Sequence, residues 1–281
     1  MRTFEVKGCV LGVGRPKTIV SVMGRDGDAS GQSLVEQARA AVAAGADCIE
    51  LRADSVREAD DSAAMAALVR ELGATLPHTP LVFTFRSAGQ GGLCSLDAGA
   101  YAELNRAVIA CGGADVVDIE AGIGDVATRE LVDYARSHDV GSIVSHHDFA
   151  GTPPTSEMVE RLVHMARLGA DIPKLAVMAH SELDALRLME ATAQARSALD
   201  MPLVTMAMGK AGALTRLAGE ATGSALTFCA LGTASAPGQV ELGLASRCLD
   251  DLHEALGIPS GASDAAKEHS PEPGPRLAEG A

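Results

Sequence analysis

The sequence predicts an α/β protein of the (β/α)8 class, the TIM barrel, with a short N-terminal hairpin covering one end. Eight short apolar runs alternate with helical patterns along the chain, and repeated strand–helix units form a parallel sheet. The eight units fill about 240 of the 281 residues, at roughly 23–35 residues each, which favours a closed barrel. An open, doubly wound sheet is the alternative arrangement of the same units.

Each element rests on its own stretch of sequence. Two short apolar stretches around Gly8, within residues 3–13, predict the hairpin. Apolar runs of strand length between helical patterns then predict eight buried parallel strands. These strands are expected at residues 18–23, 47–52, 80–86, 115–120, 141–147, 170–178, 201–206 and 224–229. The helices are expected at residues 33–44, 65–76, 97–111, 126–138, after 157, and at 181–199, 211–219 and 240–256.

Composition limits the class of partner. A net charge of −14, the absence of Trp and an aromatic content of 2% argue against nucleic-acid binding. No apolar run reaches the roughly 18 residues that a membrane span needs, and the charged N-terminus is unlike a signal peptide. We therefore expect a cytoplasmic protein without a membrane partner. Its six cysteines contain no C-x-x-C pattern and are expected to be reduced.

The composition changes near the C-terminus. Beyond Pro259, small and charged residues dominate, and Leu277 is the only large apolar side chain. Such a segment cannot bury enough apolar surface to order itself. We therefore predict a catalytic barrel domain over residues 1–258 and a disordered acidic tail over 259–281.

One lysine stands in the middle of a predicted buried strand. Lys174 shares a strand face with Ile172 and Ala176, because successive side chains alternate between faces. Burial disfavours the ammonium form of a lysine and lowers its pKa, which leaves an amine that can attack a carbonyl. The structural alternatives are a lysine at a strand end whose ammonium reaches solvent, or a lysine paired with Asp171.

Polar residues also mark the ends of other predicted strands, where the active site of a barrel lies. Glu50 and Arg52 end the second strand, Arg86 the third, and Ser145-His146-His147-Asp148 the fifth. Gly209-Lys210 and Arg216 follow the seventh strand, and the polar loop 232–239 follows the eighth. Each of these polar residues also has a purely structural explanation. Glu50 and Arg52 could form an ion pair with each other, and Arg86 could pair with Asp97 or Glu103. Polar ends on five strands of one rim instead favour a single site.

The sequence offers no motif for a metal or cofactor. His146 and His147 are adjacent and therefore point to opposite faces, which disfavours a shared metal site. No H-E-x-x-H spacing occurs. Gly209-Lys210 lacks the earlier glycine of a phosphate-binding loop, and Gly12-x-Gly14 is too short for a dinucleotide motif. We expect neither a metal nor a cofactor.

A buried amine beside a histidine suits Schiff-base chemistry on a carbonyl substrate. Formation of the iminium makes the neighbouring C–H acidic, and a histidine with a pKa near neutrality can take and return that proton. Several arginines would hold an anionic, hydroxylated small molecule. The residues alone thus point to a lysine-dependent lyase.

Seven motifs in register resemble the type I 3-dehydroquinate dehydratases. Among them are His146-His147-Asp148-Phe149 and Gly169-Ala170-Asp171-Ile172-Pro173-Lys174. The resemblance runs in order from about residue 3 to residue 257. The other motifs lie at residues 19–25, 49–52, 83–87, 216–219 and 235–239.

The resemblance implies a (β/α)8 homodimer without metal or cofactor that dehydrates 3-dehydroquinate to 3-dehydroshikimate in aromatic amino acid biosynthesis. Lys174 matches the Schiff-base lysine. His147 matches the histidine that moves the C2 proton to the leaving C1 hydroxyl and also assists formation and hydrolysis of the imine. The matching substrate-binding positions are Glu50, Arg52 and Arg86 for the ring hydroxyls, Arg216, Ser235 and Gln239 for the carboxylate side, and Ser21 as a further contact.

Two residues depart from the pattern of this family. His146 stands where relatives often carry Asn, and Gln90 stands where many carry an acidic residue. If that carboxylate orients the histidine or the substrate, Gln90 weakens or replaces its role, and we predict slower turnover rather than loss of activity. Two alternative functions remain: a class I lysine-imine aldolase, for which no phosphate motif is found, and a catalytically silent metabolite-binding barrel.

Overall fold

The computed structural model describes residues 2–24, 33–232 and 234–257. The predicted acidic tail and Arg25 of the first motif lie outside these residues. Within the described part of the chain, no helix combines the length and apolar character that crossing a membrane requires.

The N-terminal hairpin covers the end of the barrel where the strands begin. Strands β1 (Phe4–Val6) and β2 (Cys9–Leu11) pair antiparallel through a tight turn at Lys7 and Gly8, which both have positive φ. Phe4, Val6 and Cys9 pack against an apolar cluster of strand-start residues inside the barrel. The hairpin therefore closes the end opposite to the carboxyl ends of the strands.

Eight parallel strands form the barrel wall, which confirms the predicted fold class. Neighbours in sequence are neighbours in the sheet, and the first barrel strand also pairs with the last, which excludes the doubly wound order. A parallel bridge between Leu203 and Ser224 closes the ring. The strands are β3 (Lys17–Met23), β4 (Cys48–Arg52), β5 (Leu81–Thr84), β6 (Val116–Glu120), β7 (Gly141–Asp148), β8 (Ile172–Met178), β9 (Val204–Met208) and β10 (Leu226–Ala230).

Helices cover the outside of this wall. Side chains on the outer face of the strands, such as Val117 and Ile119, pack in one large core beneath the helices. The inner face of the same strand carries Val116, Asp118 and Glu120. The helices are α1 (Leu34–Ala43), α2 (Ser62–Ala74), α3 (Ala98–Cys111), α4 (Asp125–Ser137), α5 (Thr155–Arg167), α6 (Glu182–Ala198), α7 (Ala213–Leu217), α8 (Gly219–Thr222) and α9 (Leu242–Leu256).

Two predicted elements are displaced in the second half of the barrel. The strand expected at 201–206 is β9, which begins only at Val204, because Pro202 has no N–H to donate to a sheet. The helix expected at 211–219 is divided into α7 and α8 at Ala218.

The last helix also begins later than expected. Residues 240–241, predicted as its first turn, form a ninth strand, β11 (Val240–Glu241), beside β10. The carboxylate of Glu241 then accepts hydrogen bonds from the backbone N–H groups of Gly243 and Leu244 and thereby caps α9.

Candidate active site

A cavity opens at the carboxyl ends of the barrel strands. It lies where the active site of a (β/α)8 barrel is expected. Apolar side chains from β8, β9 and β10 form one wall, namely Ala176, Met206, Met208 and Phe228. Eight of the nine predicted site residues line this cavity: Glu50, Arg52, Arg86, His147, Lys174, Arg216, Ser235 and Gln239.

Lys174 lies at the inner wall of the cavity and is 3% exposed. Its Nζ donates a hydrogen bond to Asp118 Oδ2 at 2.7 Å and lies 4.4 Å from the centre of the Phe228 ring. Asp171, the partner expected in the structural alternative, instead accepts hydrogen bonds from the backbone N–H and the hydroxyl of Ser142. The pairing with Asp171 is therefore wrong.

Arg86 is enclosed between two carboxylates on β6. It contacts Asp118 Oδ1 at 2.9 Å and Glu120 Oε1 at 3.0 Å, and it donates to Ser145 Oγ at 2.9 Å. Burial acts to lower the pKa of Arg86, but the two carboxylates raise it above its ordinary value. The guanidinium is therefore permanently charged.

The partners suggested for Arg86 from the sequence are wrong. Asp97 instead caps α3 by accepting a hydrogen bond from Ala100 N, and Glu103 forms no ion pair with Arg86 among the residues that the structure describes.

Glu50 and Arg52 do not form the suggested ion pair. Arg52 makes a bidentate contact with Asp54, with N–O distances of 2.8 and 2.9 Å. Glu50 accepts hydrogen bonds from Thr84 Oγ1 at 2.8 Å and from Ser21 Oγ at 2.5 Å. Each charged group thus has its own polar partners, and both side chains line the cavity.

A chain of hydrogen bonds ties the loop after β10 to β4. Gln239 Nε2 donates to Ser235 Oγ, and Ser235 Oγ donates to Ser21 Oγ, both at 2.9 Å. Ser21 in turn donates to Glu50. Ser21 is the one predicted site residue that does not line the cavity. It instead forms hydrogen bonds with two residues that do, Glu50 and Ser235. Through these contacts the loop covers one side of the cavity mouth.

A glycine permits this loop to lie close to β9. Gly238 has a φ of +77°, and a Cβ at this position would lie 2.4 Å from the backbone oxygen of Gly209. Any other residue would push the loop away from the strand.

His147 is held in one tautomer by Gln90. The backbone N–H of His147 donates to Gln90 Oε1 at 3.0 Å, and the ring Nδ1 lies 3.1 Å from the same oxygen. Because this oxygen only accepts, Nδ1 carries the proton and Nε2 keeps its lone pair. Burial, together with the charges of Arg86 and Lys174, holds the pKa of His147 well below the ordinary value of a histidine. The neutral ring is therefore the form present at neutral pH.

His146 points away from the cavity, as the strand alternation predicts. It does not line the cavity, and burial, with a smaller effect of Arg161, lowers its pKa. The two adjacent histidines thus have separate environments.

Arg216 presents a positive charge without a carboxylate partner among the described residues. It is 2% exposed, its Nη atoms lie 3.3–3.4 Å from the carbonyl oxygens of Pro237 and Phe228, and its Nε has no hydrogen-bond partner there. Burial lowers its pKa to about 10. A buried, unpaired cation at a cavity wall favours binding of an anion.

Sequence reasoning missed several residues of this site. Asp118 and Glu120 form a carboxylate layer beneath the cavity, and Asp54 holds Arg52. The signal for Asp118 and Glu120 was present, because both stand at alternate positions of one predicted strand and so share its inner face. The apolar lining residues Met206, Met208 and Phe228 carried no such signal.

No cluster of three or more His, Cys, Asp or Glu side chains suited to a metal ion occurs among the residues that the structure describes.

Comparison with known proteins places this chain in a family. The family model described as type I 3-dehydroquinase matches residues 19–255. A 3-dehydroquinate dehydratase of Escherichia coli K12 is 42% identical over 256 residues, which cover 91% of this chain and all of that protein.

Solved structures agree with this match. A type I 3-dehydroquinate dehydratase from Clostridium difficile, crystallised with covalently modified comenic acid, has a TM-score of 0.85 and 37% identity and covers 90% of this chain and 98% of its own. The 3-dehydroquinate dehydratase of Geobacillus kaustophilus HTA426 has the same TM-score at 33% identity, with coverages of 90% and 97%. The resemblance noted in the sequence is thereby confirmed, and the chain belongs to the type I 3-dehydroquinase family.

Proposed function

We propose that this protein is a 3-dehydroquinate dehydratase that works through a Schiff base on Lys174, with His147 as general acid and base. The observation that carries the proposal is the presence of a buried lysine and a neutral, oriented histidine in one cavity. The crystallisation of a relative with a covalently modified ligand also supports covalent chemistry in this family.

The first step joins Nζ of Lys174 to the ketone carbon of the substrate. The ammonium gives up two protons in all, the carbonyl oxygen leaves as water, and a C=N–H⁺ iminium remains. Ammonium and ketone thus give iminium and water, with one positive charge before and after. The iminium withdraws electrons from the neighbouring C2–H bond and makes it acidic.

The second step is the elimination. Nε2 of His147 takes the C2 proton, the C2–H electron pair forms an enamine, and the imidazolium then gives the proton to the C1 hydroxyl, which leaves as water. Hydrolysis of the product iminium returns the ammonium of Lys174 and releases 3-dehydroshikimate. The tautomer fixed by Gln90 supports this role, because it leaves the lone pair on Nε2.

The polar lining supports recognition of a hydroxylated carboxylic acid. Glu50, Arg52 and Arg86 are proposed to contact the ring hydroxyls, with Ser21 as a further contact that positions Glu50. Ser235 and Gln239 are proposed to complete the carboxylate side beside Arg216. A homodimer also remains a proposal, which sedimentation at twice the 28.7 kDa chain mass would support.

Replacing Arg216 with methionine is expected to lower kcat/KM for 3-dehydroquinate by about 10–100-fold, mainly through KM. A hydrogen-bonded charge pair contributes about 1.5–3 kcal/mol, and methionine keeps the apolar stem without the charge. Steady-state kinetics measures this effect, with Arg106→Met on the exposed face of α3 as the control. An unchanged KM would contradict the proposal that Arg216 binds the substrate.

Replacing Gln90 with glutamate is expected to raise kcat. A carboxylate accepts the same two N–H groups and its charge favours the imidazolium, so the histidine becomes a stronger base. The acid limb of the kcat/KM profile should move to higher pH in the same variant. A lower kcat for Gln90→Glu would refute the prediction that Gln90 slows turnover.

The direct test is to incubate the purified protein with 3-dehydroquinate and follow the ultraviolet absorbance of the conjugated product. We expect formation of 3-dehydroshikimate. Binding of 3-dehydroquinate without product would contradict the proposal and favour a silent metabolite-binding barrel. Cleavage of a carbon–carbon bond in a panel of phosphorylated sugars, without dehydration, would favour an aldolase.

A further inference from the structure

Asp118 lies beneath the cavity and has no role in the function proposed above. It is completely buried in the middle of β6, yet its two oxygens contact three polar side chains. Oδ2 accepts a hydrogen bond from Lys174 Nζ at 2.7 Å, whereas Oδ1 accepts one from Ser145 Oγ at 2.5 Å and forms an ion pair with Arg86 at 2.9 Å. A carboxylate so fully occupied is fixed in position.

Asp118 is also a permanent anion. Burial alone would raise its pKa, but the positive charges of Arg86 and Lys174 hold the pKa of Asp118 below its usual range. Protonation of Asp118 therefore does not occur at any pH at which an enzyme of this kind would work.

Two of the arginines near Nζ contact other carboxylates. Arg86 is shared with Glu120, and Arg52 is paired with Asp54. Among the residues that the structure describes, Asp118 is the one carboxylate within 4 Å of Lys174 Nζ. The titratable groups that face this region from the neighbouring strands and the loop are Glu50, Arg52, Arg86, Glu120, His147 and Arg216.

Apolar side chains also lie near Nζ. The Phe228 ring is 4.4 Å away, and Ala176 and Met206 line the same cavity. The carboxylate at 2.7 Å and the face of the aromatic ring both attract a cationic Nζ, and together they hold it in one direction.

We propose that Asp118 is the positioning residue that sets both the charge and the direction of Lys174, as the anion of its ammonium in the empty site and of its iminium during the reaction. The second half of this statement rests on the Schiff-base function proposed above. Since ammonium and iminium each carry one positive charge and at least one N–H, Asp118 keeps the same electrostatic partner and a hydrogen-bond donor in both states. The buried carboxylate is thus compensated in both states.

The test is competitive labelling of the substrate-free protein with acetic anhydride over a range of pH, with the extent of acetylation of each lysine measured by peptide mass spectrometry. Asp118→Asn keeps the shape and removes the charge. We expect the pH midpoint for labelling of Lys174 to fall by about 1–3 units in this variant, the size of a lost neighbouring charge. Exposed Lys210 serves as the internal reference in every digest.

Two further variants separate charge from structure. Ser145→Ala removes an uncharged donor to the same carboxylate and should leave the Lys174 midpoint unchanged. Asp118→Glu restores the charge and should return the midpoint toward the wild-type value. A Lys174 midpoint that is the same in Asp118→Asn as in the wild type would overturn the proposal. Because no substrate is present, these results are independent of whether the protein dehydrates 3-dehydroquinate.

The effect on turnover is measured separately. With 3-dehydroquinate, Asp118→Asn is expected to lower kcat by at least about 10-fold, because the iminium loses its anion. Failure of the wild-type protein to form product would contradict the proposed function, but would leave the labelling result and the role of Asp118 in the empty site standing.

Discussion

Replacing Lys174 with alanine is expected to lower the rate of 3-dehydroquinate dehydration by roughly 10⁴–10⁶-fold, the range found when a covalent nucleophile is removed. The variant lacks the amine that forms the iminium, so the C2 proton must be removed from an unactivated ketone. The buried ion pair with Asp118 is lost at the same time. The measurement is the initial rate of product absorbance at saturating substrate.

The control for this prediction is Lys17→Ala. Lys17 is the first residue of β3 and lies at the opposite end of the barrel, so its removal should leave the rate within about twofold. Because removal of Lys174 leaves the buried carboxylate of Asp118 without one of its two cationic partners, circular dichroism should establish that the Lys174→Ala variant is folded. A folded variant with more than a tenth of wild-type activity would exclude Lys174 as the nucleophile.

Replacing His147 with alanine is expected to lower kcat by roughly 10²–10⁴-fold, the usual contribution of a general acid and base. The iminium should still form on Lys174, because the amine and Asp118 remain in place. The variant should therefore accumulate a covalent adduct that turns over slowly. Intact-protein mass spectrometry after borohydride reduction measures that adduct.

The pH dependence of the wild-type enzyme tests the same residue. Protonation of His147 removes the base, so kcat/KM should fall as pH decreases through the pKa of this histidine, which lies well below 6.5. We expect activity to stay level from neutral pH to about pH 6.5 and to decline only in more acidic solution. A His147→Ala variant should lose this acid limb, and a limb that persists unchanged would assign it to another group.

Much of the fold could be predicted from the sequence. Parallel strands buried on both faces give apolar runs such as Leu81–Thr84, and these runs alternate with helices at a spacing that only a few folds share. Errors occurred where local signals compete, as at Val240–Glu241, where a two-residue strand precedes the cap of the last helix. The extended conformation of β11 depends on its pairing with β10 and not on its own two-residue sequence.

The site was predicted less completely, for a physical reason. Strand ends and motifs located Lys174, His147 and the arginines, but the partner of each charge depends on which strands are adjacent and in what register. Lys174 pairs with Asp118, two strands and 56 residues away, and not with Asp171, which is close in sequence. Burial alone suggested a neutral lysine, and only the position of β6 shows the carboxylate beside it.

The most direct test of the proposed mechanism is borohydride trapping of the wild-type protein with 3-dehydroquinate, followed by proteolysis and peptide mass spectrometry. The mechanism predicts a reduced adduct on Lys174 that is absent when substrate or borohydride is omitted. Formation of 3-dehydroshikimate with no modified lysine, or with the adduct on a different lysine, would contradict it.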